Sequence, residues 1–203
     1  VDSVIWCATD FNGNQPRAVS GLNIAFLFRA VADPTKGRVE IEGLRNMMGA
    51  LKLAQQESSS PSVFGGTSRA AGKQPTNFVL VSTAPYAFKD FETPFGTFNG
   101  LKREGEDIVK KEFPSLSHTI LQMSRYEDNF VQEDLPVEYS FPEDGTDPIA
   151  AADGDDLTES EKKAYQEATR RAINRRDAAK AAVDALTSEE LQGKTAQLHT
   201  AIK

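Results

Sequence analysis

Three stretches of this chain end in small or polar residues directly after an apolar run: Ala8-Thr9-Asp10, Ser82-Thr83-Ala84-Pro85-Tyr86 and Gln122-Met123-Ser124. The runs before them are short and rich in β-branched or aromatic residues, the pattern of buried strands. In an open parallel sheet, ligands bind outside the carboxyl ends of the strands, so hydroxyl and amide groups gathered there can hydrogen-bond a ligand. Lys102 lies twenty residues after Ser82, near the start of a predicted helix. On spacing alone it reads as a surface charge; in this company it becomes a candidate for site chemistry.

Other chemistries find little support. A metal site needs clustered His, Asp, Glu or Cys at ligand spacing, whereas His118 and His199 stand isolated. Asp153-Gly154-Asp155-Asp156 lacks the spacing and the distal Glu of a calcium loop, and reads as a solvated acidic loop. Cys7 is the single cysteine. With no base in view it is expected to be a buried, inert thiol inside the first strand. Neither a Gly-x-Ser-x-Gly elbow nor a phosphate-cradling Gly-x-x-x-x-Gly-Lys loop occurs, and the dinucleotide fingerprint Gly-x-Gly-x-x-Gly is absent.

The elements that must position these residues follow from hydrophobic patterning. Val1 to Thr9 predicts a buried strand closed by the turn cluster Asp10-Phe11-Asn12-Gly13-Asn14. An opening inside a strand leads to the expectation that further chain normally precedes it. Residues 15 to 37 read as an apolar loop or short helix. From Val39 to Leu53, Ile41, Leu44, Met47, Met48 and Leu51 recur at helical spacing, with the Met pair filling core. Gly43 and Gly49 each weaken that helix by roughly 1 kcal/mol against Ala, which close packing would justify. Gln55 to Thr76, rich in Ser, Gly and Pro, reads as a loop.

Phe78-Val79-Leu80-Val81-Ser82-Thr83 has the continuous apolar run of a central parallel strand buried on both faces. Residues 99 to 113 predict a helix stopped by Pro114, and His118 to Met123 a third strand. Residues 142 to 157 read as an acidic linker. Thr158-Glu159-Ser160-Glu161 then has capping-box spacing at the head of a helix running to about Arg171. Asn174 caps a second helix, with Asp177 at its third position, and Lys194 to Ile202 forms a last short strand.

The alternation of strand and helix predicts an α/β fold. The expectation is a partial Rossmann-like parallel sheet of three to four strands with crossover helices, and a carboxyl-terminal helical segment. The domains expected are residues 1–141, a linker at 142–157, and a segment 158–203 packing on the same domain. Composition narrows the partners. The chain has 203 residues and 30 acids against 23 bases, a net charge of −7. That balance argues against nucleic acid, which needs clustered Lys and Arg, and against docking on anionic lipid. No run approaches the roughly 20 apolar residues of a membrane span, and one cysteine points to a reducing compartment or indifference to redox state.

Several ordered motifs resemble the atypical short-chain dehydrogenase/reductase proteins of the NmrA-like type, with an NAD(P)-binding Rossmann fold. Asp2 to Thr9 resembles the family's fourth strand, and Val39-Glu40-Ile41-Glu42-Gly43-Leu44-Arg45-Asn46 its "V-x-x-x-G-x-x-N" helix. Phe78 to Ser82 is similar to the fifth strand with its Ser, and Lys102-Arg103-Glu104-Gly105-Glu106 to a "K-x-x-x-E" helix. Ile120 to Phe130 resembles "I-L-R-P-x-x-F-x-x-N-F"; Ile173 to Ala179 with Gly193-Lys194-Thr195 resembles "I-x-R-x-D-V-A … G-K-T". Against that pattern the first three strands and the glycine fingerprint are missing. Phe98 stands where Tyr-x-x-x-Lys has its proton-donating tyrosine, Met123 replaces a proline, and residues 142 to 172 look like an acidic insertion.

The resemblance implies a cofactor-binding set of Ala8, Thr9, Ser82, Lys102, Gln122 and Met123 toward NADP or NAD, weak or absent in this chain alone. The departures point first to a non-catalytic structural or assembly subunit of a larger photosynthetic or respiratory complex, with protein subunits as partners. Such a subunit would lie in an organelle interior, the plastid favoured over the cytoplasm, in peripheral association with a membrane complex. The alternatives are an NAD(P)H-dependent reductase, with Lys102 as acid/base or ribose holder and Ser82 orienting substrate, and an NAD(P)-sensing regulator.

Overall fold

The computed structural model describes residues 3–8, 39–59, 77–87, 92–93, 96–127, 136–142 and 158–200. The strands are β1 (Ser3–Trp6), β2 (Asn77–Thr83), β3 (Glu92–Thr93), β4 (Gly96–Thr97), β5 (His118–Met123), β6 (Arg125–Tyr126), β7 (Val137–Ser140), β8 (Ala172–Ile173) and β9 (Thr195–Thr200). The helices are α1 (Leu44–Ser59), α2 (Phe98–Asp107), α3 (Glu159–Ala168) and α4 (Arg175–Asp184). A π-helical turn, Val39–Gly43, leads into α1, and a second, Ile108–Glu112, extends α2.

Five strands form one sheet in the order β1-β2-β5-β9-β7. The first four pair in parallel and β7 runs antiparallel to β9. The fold is therefore α/β with a mostly parallel sheet, as the alternation of elements predicts. Side chains alternate between the two faces of each strand. Phe78, Leu80 and Ile120 face α1 and α2, burying Leu44, Met48, Leu101 and Val109. Val79, Leu121, Met123 and Leu198 face α4, where Ala178, Ala181, Ala182 and Ala185 allow close approach. Each fully buried Leu or Ile in these layers contributes about 2 kcal/mol of burial.

Local chemistry fixes the helix ends. Thr158 and Glu161 form the reciprocal capping box, and the Asn174 side chain accepts from the amide of Arg176. Thr97 caps α2 by accepting from Gly100 N at 3.1 Å. The carboxyl-terminal segment expected from residue 158 onward supplies α4 on the sheet and inserts β9 between β5 and β7.

Several expectations are corrected. The first strand is half-buried rather than buried, because β1 is an edge with β2 as its one partner among the described residues. Cys7 is exposed, one residue past the end of β1, and is not a core thiol. Gln55 to Ser59, expected in a loop, continue α1, since no proline or glycine breaks the helix before Pro61. Gly43 faces the Trp6 ring, where an added Cβ would lie 3.4 Å from it, but Gly49 has no neighbour within 4 Å and is not required by packing. β7 is a fifth strand that patterning did not reveal: Val-Glu-Tyr-Ser is too short and too polar to stand out. The readings for residues 15–37, for 60–76 and for most of the acidic linker fall outside the described residues.

Candidate functional site

The parallel register sets Ser82 of β2 beside Gln122 of β5, and Gln122 beside Gln197 of β9. All three project to the face covered by α2, whose last turn lowers Glu106 onto them. Ser82 Oγ donates to Glu106 Oε1 at 2.6 Å, and Gln122 Nε2 donates to Glu106 Oε2 at 2.9 Å. Gln197 Nε2 donates to Gln122 Oε1 at 3.0 Å, carrying the chain of bonds across three adjacent strands. From above, Arg103 Nη1 lies 2.9 Å from Glu106 Oε1, while its Nη2 donates to the Thr83 carbonyl.

Ser82, Glu106, Gln122 and Gln197 are buried. Burial raises the Glu106 carboxyl above its ordinary range; Arg103 and the bonds from Ser82 and Gln122 oppose that rise. A buried carboxylate is stable only with such partners.

Beside this row lies a small cleft lined by Trp6, Ala8, Glu40, Ser82, Lys102 and Gly105, among others. Its free volume is about 10 Å³, room for about one water. Lys102 Nζ sits 3.4 Å from Glu40 Oε1 and 5.6 Å from the centre of the Phe98 ring. Burial lowers the Lys102 ammonium from its ordinary value, and the Glu40 carboxylate works against that fall. The cleft is tight because Gly105 lets α2 approach the π-helical turn: a Cβ there would lie 3.3 Å from the Glu40 carbonyl oxygen.

The structure thus brings Ala8, Ser82 and Lys102 to one cleft, with Gln122 joined to Ser82 through Glu106. Met123 does not join them: it faces the opposite side of the sheet, in the core with Leu121 and Leu198. Thr9 lies outside the described residues. Sequence reasoning did not single out Glu40, Arg103, Glu106 or Gln197. A signal for Glu106 existed, because it is the acidic member of the Lys102-to-Glu106 motif. Gln197 carried none, since a glutamine in a short strand has no distinguishing spacing.

The two histidines are placed separately. His118 Nδ1 lies 2.9 Å from the Leu116 carbonyl, and His199 Nε2 lies 3.0 Å from Glu138 Oε2 across the β7–β9 pair. Among the described residues no group of three or more His, Cys, Asp or Glu could hold a metal ion. Ligand pockets run to roughly 300–1,000 Å³, well above the free volume of this cleft, and its polar side chains Ser82 and Lys102 each face a carboxylate. Among the described residues no helix is long and apolar enough to cross a membrane. No protein-family model matches this chain, and no curated protein matches it.

Proposed function

We propose that this chain is a non-catalytic Rossmann-like protein that serves as a structural or assembly subunit of a larger complex. One observation carries the reading. Ser82 and Lys102, the residues that the family resemblance would assign to chemistry, are each engaged by a buried carboxylate, Glu106 and Glu40. A serine that holds a helix to a sheet, and a lysine that neutralises an internal acid, serve the scaffold. The resemblance to NmrA-like proteins favours a plastid or respiratory assembly, reached without a spanning helix among the described residues.

Calorimetric titration with NADPH and NADH, on this chain and on the longest gene product, tests the reading. No heat of binding from either, with the native protein migrating well above monomer size in extracts, is the expected result. Dinucleotide binding by the long form, or a strictly monomeric protein in extracts, overturns it.

A second reading is an NAD(P)H-dependent reductase, favoured by Ser82 and Lys102 sharing one cleft and by the lowered proton affinity of Lys102. Binding with turnover supports it. Binding without turnover supports the third, a dinucleotide-sensing regulator.

A further inference from the structure

Helix α4 carries most of its charges the wrong way round for its own dipole. A helix favours acids at its amino-terminal end and bases at its carboxyl-terminal end. In α4, Arg175 and Arg176 open the first turn, no base stands in the last turn, and Asp184 is the final residue. Asp177 is the one acid placed as the dipole prefers. Ala178, Ala181 and Ala182 are buried against the sheet. At about 100° per residue, Arg176, Lys180 and Val183 therefore share the opposite face, and all three are exposed. Arg176 and Lys180 are like charges four residues apart, a spacing that weakens a helix.

The described fold does not answer these charges. Neither Arg176 nor Lys180 has an ion pair, and neither does Asp184 or the exposed Glu190 in the turn after α4. At that acidic end stands Tyr139 of β7, whose hydroxyl is raised by burial and by the charges of Asp184 and Glu190. Val183 is 57% and Tyr139 38% exposed. One exposed apolar side chain is ordinary. Two beside a face that is basic at one end and acidic at the other break local rules without a gain inside the chain, which marks a functional surface.

Such a face is complementary to itself. Turned about a two-fold axis near Val183, a second copy sets its acidic end on the first copy's basic end, and the reverse. The two helices then run antiparallel, so their dipoles also oppose one another. We propose that the outer face of α4 is a contact between two copies of this chain, in which Arg176 and Lys180 of each copy meet Asp184 and Glu190 of the other around Val183 and Tyr139. α4 has ten residues and is about 15 Å long. The contact is therefore small and the dimer weak and reversible. The proposal goes beyond the assembly reading and does not rest on it, because the purified chain alone tests it.

Sedimentation equilibrium of that chain, from about 10 μM to about 1 mM, is the experiment. The native sequence is expected to show a reversible monomer–dimer equilibrium. One variant, Arg176→Glu with Lys180→Glu, makes the face wholly acidic; another, Asp184→Lys with Glu190→Lys, makes it wholly basic. Each is expected to self-associate at least about tenfold more weakly, since like charges then face one another. An equimolar mixture of the two restores a mixed dimer. All four positions are exposed, and unchanged urea midpoints verify that both variants fold. A native chain that stays monomeric over the whole range overturns the proposal. So does a dimer that neither variant weakens, or a pair of folded variants that do not associate with one another.

Discussion

Ser82 Oγ donates a 2.6 Å hydrogen bond to Glu106 Oε1, fastening the carboxyl-terminal part of β2 to the last turn of α2 across 24 positions of chain. Both groups are buried, so the bond is made out of bulk water. Ser82→Ala leaves the Glu106 carboxylate short of one donor, which costs about 2 kcal/mol. Urea unfolding of the variant measures this directly. An unchanged midpoint would mean that Ser82 is dispensable to the fold and free for other work.

The same carboxylate sets a pH dependence. Burial holds the Glu106 carboxyl above its ordinary range, so the folded chain binds this proton more tightly than the unfolded chain does. The stability linked to that proton is fully present below the unfolded carboxylate value of about 4.3. It is lost as pH rises through the higher folded value. Glu106→Gln has no such proton. Unfolding free energies measured from acid to neutral pH should fall more steeply for the wild type than for the variant, and parallel curves would refute the assignment.

How far the sequence disclosed this arrangement depends on the kind of residue. Three of the four parallel strands and their crossover helices were legible because continuous apolar runs such as Phe78 to Val81 and the spacing of Leu44, Met48 and Leu51 have one natural burial pattern. Thr158 and Asn174 were legible as caps because their bonds are local. Ser82 and Lys102 were legible as candidates through the strand-end pattern and the motif resemblance together, and the reason they are held was not. Glu40 and Glu106 reach them from 62 and 24 positions away, and no local pattern records a contact made by tertiary folding. Met123 was misplaced for a related reason: position at a strand end does not say which face a side chain takes. One residue of register separates it from Gln122, and that is enough to send it to the other side of the sheet.

Lys102 and Glu40 form a pair whose side chains are only 11% and 4% exposed. Removing one partner from a buried pair costs more than the pair contributes, because the other charge stays buried. Lys102→Met and Glu40→Gln should each destabilise by about 2–3 kcal/mol, and the double variant by clearly less than their sum. A double-mutant cycle from denaturant unfolding checks this. Additive losses would show that the two groups do not compensate one another and that the lysine is available for chemistry.

Asn77 performs at the opposite end of β2 the task that Ser82 performs near its carboxyl end. Its Nδ2 donates to Thr119 Oγ1 at 2.6 Å on the neighbouring strand and to the Ala185 carbonyl at 3.0 Å, where α4 ends. Its Oδ1 accepts from Ser117 Oγ at 3.3 Å, and Thr119 Oγ1 passes the connection on to the Leu191 carbonyl at 2.8 Å. One buried amide therefore joins two strands, the end of α4 and the turn before β9, with each of its polar atoms satisfied. Asn77→Ala orphans the Ala185 carbonyl and removes the Thr119 partner together, a loss of about 2–3 kcal/mol. Asn77→Asp keeps the shape but replaces a donor with a buried charge facing a carbonyl, and should be at least as costly. Thermal unfolding of the two variants ranks them. An Asp variant more stable than the Ala variant would mean that the amide is not the donor this geometry requires.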